Sequence, residues 1–263
     1  MLAADALLPV NATLGFVLAG LLLAAMAVAA RAGLVHDDGR GHARSVALAG
    51  VRATVQLAAV SLVIGWVVGA VPTLLGFVLL MYAVAVRTAG RRITANHTWW
   101  WAAVPLAAGV LPVLLTLLAT GLVTLDGLVL VPVAGILIGG ALTATVLAGR
   151  RALEELRTRR GEVEAALALG LPDREARMEI IRPRAAGALL PGLDQTRTVG
   201  LVTLPGAFVG MLLGGASPLL AGAVQLFVLV ALVCVQTVAV AVVLELVSRG
   251  RMYRVRWDAT EGE

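Results

Sequence analysis

No lysine occurs in the 263 residues; all 21 basic residues are arginine. A Walker A loop sets a lysine on the nucleotide phosphates, so this chain is not a P-loop ATPase by itself. Cysteine is almost absent as well: Cys234 stands alone, which excludes a disulfide framework and a Cys-based zinc site. The three histidines, His36, His42 and His97, form no H-E-x-x-H arrangement. Charge itself is scarce, at 14% of residues against 60% apolar. A soluble domain carries about 25% charged residues, so this is not one. Mean hydropathy is +0.94, and most of the length is consumed by membrane helices. No room is left for a large catalytic domain, nor for a basic extramembrane domain that would bind nucleic acid.

What is present is a series of long uncharged runs. Residues 6–30 suffice for one span. Val46 to Val86 is 41 residues with one charge, Arg52. As a single helix it would be roughly 60 Å long, twice the ~30 Å hydrocarbon core. It must fold back, and Gly69-Ala70-Val71-Pro72 is the turn. Thr98 to Ala148, interrupted by Asp126, gives two spans. Thr198 to Leu244 has no charge in 47 residues and turns at Gly214-Gly215-Ala216-Ser217-Pro218. The expectation is an all-α polytopic membrane protein of about seven helices: one transmembrane domain over 1–248, with a cytoplasmic segment at 149–197 and a tail at 249–263.

The arginines partition by loop. Segments 31–45 and 87–97 hold three each, 149–197 holds ten and the tail after Val247 holds four. The alternate segments 1–13, 69–73, 120–126 and 214–219 hold none. By the positive-inside rule the N-terminus is outside and the C-terminus cytoplasmic, in a multi-pass protein of the inner (plasma) membrane. The first apolar run is not read as a signal peptide, because basic residues follow it instead of preceding it. Trp99-Trp100-Trp101 reads as an aromatic anchor at the inner interface.

The cytoplasmic segment is the most informative. Leu153, Leu156, Val163 and Leu167 recur at helical spacing between Gly149 and Gly170. This predicts a continuation of span five out of the membrane. Gly170 suits the left-handed position that ends a helix, Leu171-Pro172 is a stop, and Asp173 is a credible N-cap for a second helix over 174–182. Glu164-Ala165-Ala166, then Gly170, Ile180 and Pro183, resemble the E-A-A-x3-G-x9-I-x-L-P signature of ABC importer-type permeases, with Arg182 where that pattern has leucine. A small-residue helix ending in a sharp turn fits a groove on a partner protein. An ordinary amphipathic cytoplasmic hairpin is the alternative.

Further on, Asp194-Gln195-Thr196-Arg197-Thr198-Val199-Gly200-Leu201-Val202-Thr203-Leu204-Pro205-Gly206 resembles the D-x-x-K-T-V-G-L-V-S-L-P-G run of the FetB-like family of iron-export ABC permeases, whose plant relatives include aluminium-tolerance proteins. The likeness takes in 50–57 and 132–142 and covers roughly residues 45–245. Arg197 replaces a lysine, and Gly140 stands where the family commonly has asparagine. Leu142, Ala207 and Phe208 stand where methionines are common. Val224 replaces a tyrosine before the retained Gln225. The resemblance implies a permease homodimer in the bilayer, exporting iron or another metal cation. A separate ABC ATPase subunit, carrying the ATP and Mg, would dock on 149–185 through Glu164, Ala165, Ala166, Gly170, Ile180 and Pro183. This chain would hold no cofactor and would not itself be an enzyme.

The residues suggest a pathway too. Pro205-Gly206 should break span six, and a broken helix is tolerated only where it faces protein or a water-filled cavity. Thr198, Thr203 and the freed carbonyls would line it, with Arg52 and Gln56 from span two and the Asp194-Arg197 pair at its cytoplasmic end. Arg52 also lies close enough to that end to snorkel, or to pair with Asp194. Gly206, Gly210 and Gly214 at spacing four, and Gly135 with Gly139, read as packing stripes. Met81 and Met211 are soft donors but more often core filler, so no metal ligands are assigned. A secondary transporter or channel is the alternative function, though the spans hold few coupling acids. An intramembrane enzyme lacks paired acids or a Ser/His pair.

Overall fold

The computed structural model describes residues 12–33 and 42–254. Expectations for residues 1–11, His36, Arg40 and the tail beyond 254 lie outside them. The described residues are helical, with a single isolated bridge between Val199 and Thr203. In chain order come α1 (Ala12–Arg31), α2 (His42–Val67), α3 (Val71–Ile93), a 3-10 turn (His97–Ala102), α4 (Ala103–Ala119), α5 (Gly127–Thr158) and α6 (Arg160–Ala168). Then follow α7 (Asp173–Ala185), a second 3-10 turn (Ala186–Leu189), α8 (Leu190–Thr198), α9 (Gly206–Leu213) and α10 (Pro218–Ser248). Six helical stretches are long and apolar enough to cross a membrane: α1, α2, α3, residues 97–119, α5 and α10. The protein is a polytopic all-α membrane protein.

Several boundaries follow directly from local chemistry. Ala70 caps α3 with proline in its first turn, so the fold-back falls in the expected Gly69–Pro72 turn. The Asp126 carboxylate accepts the Leu128 N–H at 2.8 Å and starts α5. Ser217 accepts the Leu220 N–H at the start of α10.

The chain divides into two compact units, Met1–Trp66 and Val67–Glu263. In the first, the Gly50 backbone lies against Leu22, which joins α2 to α1. Almost every apolar side chain here is exposed, including Phe16, Leu62 and Trp66. Lipid solvates such surface as well as protein does, so exposure carries no penalty in the bilayer.

The second unit is a bundle built around α5 and α10. Helix α5 packs against α3, α4, α7 and α10; α10 packs against α4, α5, α7, α8 and α9. The seam is filled by Leu74, Ile93, Leu106, Leu130, Leu137, Leu229, Val235 and Val243, all essentially inaccessible. Small residues let backbones approach: a Cβ on Gly109 would stand 2.7 Å from the Val235 carbonyl oxygen. The half-buried Tyr82 hydroxyl donates to the Ala103 carbonyl at 2.7 Å, which ties α3 to α4.

One end of this bundle gathers the ends of α3, α5 and α10. The Asn96 amide donates to the Tyr253 carbonyl at 2.6 Å, and the Arg254 guanidinium donates to the Ile93 carbonyl at 3.2 Å. Arg91 lies over the Trp99 ring and Arg251 over Trp101, and Trp101 stacks on Trp100. The Trp triplet therefore sits among arginines at a helix-end layer, as an interfacial anchor would.

The stretch expected as span six is not one helix. Helix α8 ends at Thr198, the backbone turns through Val199–Pro205, and the eight-residue α9 ends at Gly214. Proline has no N–H to donate to Leu201 and keeps the preceding residue extended. Even so, the chain has to travel the bundle's length here. Arg174 at the start of α7 bonds Glu245 near the end of α10, while α10 starts at Pro218. From Gln236, against which Gly192 of α8 packs, to Pro218 is roughly 27 Å of helix. Segment 190–217 covers that length along α10 as a broken pass of two short helices, and the six long helices are the continuous ones able to cross a membrane.

Two smaller expectations change. The continuation of span five bends at Arg159, which leaves helical geometry at φ −112° and ψ 32° and separates α5 from α6. Its guanidinium is held between Glu155 and Glu162, and Arg159 keeps the Glu162 carboxyl below the usual carboxylate range. Asp173 is the first residue of α7, not its cap. Extended Pro172 holds the cap position, and Asp173 pairs with Arg177 at 3.3 Å.

The arginine partition makes the topology testable. In a Cys234→Ala background, a cysteine at Thr124 should react with an impermeant thiol reagent in intact cells, and one at Thr158 should not. Reaction at Thr158 alone, or at both positions, would reject the topology that the arginine partition assigns.

Candidate functional site

Two features concentrate the chemistry. The first is the α6–α7 hairpin. Helix α6 ends in a paired cap: Gly170 N–H donates to the Leu167 carbonyl at 2.9 Å and Leu171 N–H to Ala166 at 3.1 Å. Gly170 takes φ +90° to make this turn, which a side chain would strain. Val163, Ala176, Ile180, Ile181 and Ala185 are buried and hold the hairpin against α5 and α10.

Of the residues expected to couple, Ala165 and Gly170 are exposed at this end and Ala166 is half-buried. Glu164 is exposed and pairs with Arg160 at 2.8 Å, so its charge is partly answered within α6. Ile180 is buried and serves the hairpin's packing. Pro183 lies inside α7 and is exposed. The sequence reading passed over Leu169, which is 82% exposed at the tip beside Gly170. A large apolar side chain at the end of a charged hairpin is an unsatisfied surface of the kind that anchors a partner.

The second feature is the broken pass. The Thr198 carbonyl accepts from the N–H groups of Leu201, Val202 and Thr203, at 3.4, 2.9 and 3.4 Å, and the Gly200 N–H donates to Thr203 at 2.9 Å. Gly200 has φ +84°. This compact turn answers part of the backbone that the missing helix leaves open, and it presents Leu201, Val202 and Leu204 outward. The Thr198 hydroxyl, expected as lining, is turned back onto the Asp194 carbonyl at 2.8 Å. Thr203 is exposed. Asp194 and Arg197 pair with each other at 3.6 Å, both largely exposed. Pro205 caps α9, and Gly206 opens it.

The glycine stripes differ from expectation. A Cβ on Gly206 or Gly210 would meet nothing within 4 Å, and Gly214 meets only carbonyls of its own helix. Helix α9 buries no residue, so its stripe has no packing partner among the described residues. Gly135 does pack, on the Met81 methyl at 3.1 Å, whereas Gly139 faces open space. Met81 is thus packing matter, and no group of three His, Cys, Asp or Glu among the described residues suits a metal ion.

Arg52 and Gln56 lie in the first unit, exposed on one face of α2. In the second unit, Gln225 is 95% buried, and its Oε1 has no hydrogen-bond partner among the described residues. Leaving that oxygen unpaired costs about 1–3 kcal/mol. Eleven residues on, Gln236 lies on nearly the same face of α10, about 20° away. It is buried, and its amide packs at the backbone of Gly192 in α8 and faces Gly140 in α5. No sequence signal marked Gln236, because its two neighbours are glycines on other helices.

Residues 18–252 match the family described as "Uncharacterised protein family (UPF0014)". The chain belongs to that family. This UPF0014 member is 38% identical over 164 residues to "UPF0014 membrane protein STAR2" of Oryza sativa subsp. japonica, covering 61% of this chain and 57% of that protein. To "Protein ALUMINUM SENSITIVE 3" of Arabidopsis thaliana it is 35% identical over 164 residues, covering 61% and 59%. To "Probable iron export permease protein FetB" of Escherichia coli (strain K12) it is 29% identical over 126 residues, or 48% of each chain. The chain thus spans less than two thirds of these relatives' length. No solved structure matches it. The FetB-like resemblance read from the T-V-G-L-V-x-L-P-G run is borne out.

The clamp around Gln236 has a simple test. Gly192→Ala places a methyl in the space of the Gln236 amide, at a cost of roughly 1–3 kcal/mol for overpacking, against a gain of about 1 kcal/mol in helix propensity. The thermal midpoint of the purified protein should fall and should recover in Gly192→Ala/Gln236→Ala. An unchanged midpoint in the single variant would contradict the packing.

Proposed function

We propose that this chain is the membrane subunit of an ABC-type exporter, driven by a separate ATPase that docks on the α6–α7 hairpin. The observation that carries the reading is the tip of that hairpin: a glycine cap at φ +90° with Leu169 82% exposed beside it. Val163, Ala176, Ile180, Ile181 and Ala185 are taken up by packing, and Leu169 is the large apolar side chain the hairpin leaves exposed at its tip. The partner would carry the ATP and Mg; this chain would be non-catalytic. Because ABC ATPases work as pairs, two copies of the permease are required. The arginine-free ends of the bundle face outward in this reading, and the N-terminus is outside.

The cargo is proposed to be iron or another metal cation. The support is the name of the FetB relative. Carbonyls, hydroxyls and side-chain amides are the oxygen donors that suit a hard cation. The pathway is assigned to the broken pass, at Asp194, Arg197, Thr198, Thr203, Pro205 and Gly206, with Gln225 from α10; Arg52 and Gln56 of α2 are separate candidates for lining it. Gln225 fits best, since its Oε1 has an unanswered lone pair in the membrane interior.

Two experiments test the reading. Leu169→Asp should lower the affinity for a co-expressed ABC ATPase subunit by at least about thirtyfold, the size of a lost hot spot of ~2 kcal/mol. Gly170→Val, strained by about 1–2 kcal/mol in a left-handed turn, and Glu164→Arg should weaken binding with insertion unchanged. Full co-purification of the ATPase with all three variants rejects the docking site. For the pathway, Gln225→Leu, Arg52→Gln, Thr203→Val and Pro205→Ala should each reduce ATP-driven iron movement in vesicles while the ATPase stays bound. Normal transport by all four would place the pathway elsewhere.

A further inference from the structure

Docking at Gly170 moves nothing unless the hairpin is tied to a helix that crosses the membrane. Two kinds of tie exist. Ala176, Ile180, Ile181 and Ala185 bury apolar surface, which holds the hairpin in place but slides readily. The second kind is ionic. Arg184 reaches Glu155 of α5 at 3.5 Å, a long and exposed contact. Arg174 reaches Glu245 of α10 with both prongs: Nε to Oε1 and the terminal nitrogen to Oε2, each at 2.7 Å. The same Oε1 also accepts from Arg249, one turn along α10, at 2.6 Å.

The position of the fork matters as much as its geometry. Arg174 is four residues past Gly170, in the first turn of α7, so it is the tie nearest the tip. Glu245 lies in the last turn of α10, the helix that also carries Gln225 and Gln236 and packs against α4, α5, α8 and α9. An exposed ion pair adds little to stability, and the hairpin has an apolar footing without it. A bidentate guanidinium–carboxylate pair does fix direction, because two parallel bonds resist rotation as well as separation. Arg249 bonds the same carboxylate from within α10 and so adds no link between α7 and α10.

We infer that Arg174 and Glu245 form the strut that passes ATPase movement from the hairpin to α10, and through it to the broken pass. This rests on the docking reading above. Both are positioning residues: neither touches cargo or nucleotide.

The test reads movement, not cargo. A cysteine at Ser217, in the turn joining α9 to α10, is placed in a Cys234→Ala background. Its thiol-labelling rate is measured with a co-expressed ABC ATPase subunit, before and after ATP. In the otherwise wild-type chain, ATP should change the rate about fivefold or more, within the usual range of coupling between sites. R174Q and E245Q should keep the ATPase bound and hydrolysing and lose the response. R249Q, which leaves the fork intact, should respond as the wild type does. R174E/E245R in the R249Q background, where the new cation has no like charge one turn away, should recover it. If R174Q weakens docking itself, E245Q decides, since it lies on α10 and away from the tip. An unaltered response in E245Q with ATPase bound overturns the strut and leaves docking standing, and so does a wild-type chain that binds ATPase without responding. A wild-type chain that binds no ATPase overturns the docking reading, and the strut with it.

Discussion

Hydrocarbon offers a peptide backbone no hydrogen bonds, so every N–H and C=O at membrane depth needs a partner inside the protein. Six stretches of this chain meet that demand in the simplest way, as long continuous helices. Segment 190–217 does not, and it packs along α10 of the bundle instead. The Thr198 carbonyl gathers three N–H groups, Gly200 turns through a left-handed conformation to reach Thr203, and α10 runs alongside α8 and α9. A break answered this closely is a maintained feature of the fold, in the part of the chain whose sequence the family resemblance marks most strongly.

Local signals in the sequence led to local structure. The Gly69–Pro72 fold-back, the left-handed Gly170 and the interruption before Pro205 were all legible, because each depends on residues within one or two turns. So was the apolar side of the hairpin: Leu153, Leu156 and Val163 are buried and Leu167 is half-buried. Long-range pairings were not legible. Glu245 pairs with Arg249 one turn along its own helix, but also with Arg174, which lies 71 positions away with nothing nearby to mark it. Gln236 and Gly192 escaped for the same reason. The 206–210–214 stripe shows the converse: spacing announced a packing face, and among the described residues nothing packs there.

The same physics limits what charge can say. Asp194 pairs with Arg197, one turn away on its own helix, at 3.6 Å. An exposed pair of this kind contributes at most ~1 kcal/mol, so it orders α8 without anchoring it. The anchoring comes from shape, where Gly192 admits the Gln236 amide.

Helix α9 is eight residues, roughly 12 Å, well short of a hydrocarbon layer of about 30 Å. The six long helices can meet a thicker or thinner bilayer only by tilting as rods. The pass from α8 to α9 has another recourse: its turn can open or close while both short helices keep their internal hydrogen bonds. A turn between two short helices is thus the place where this part of the chain can adjust to bilayer thickness without breaking a helix.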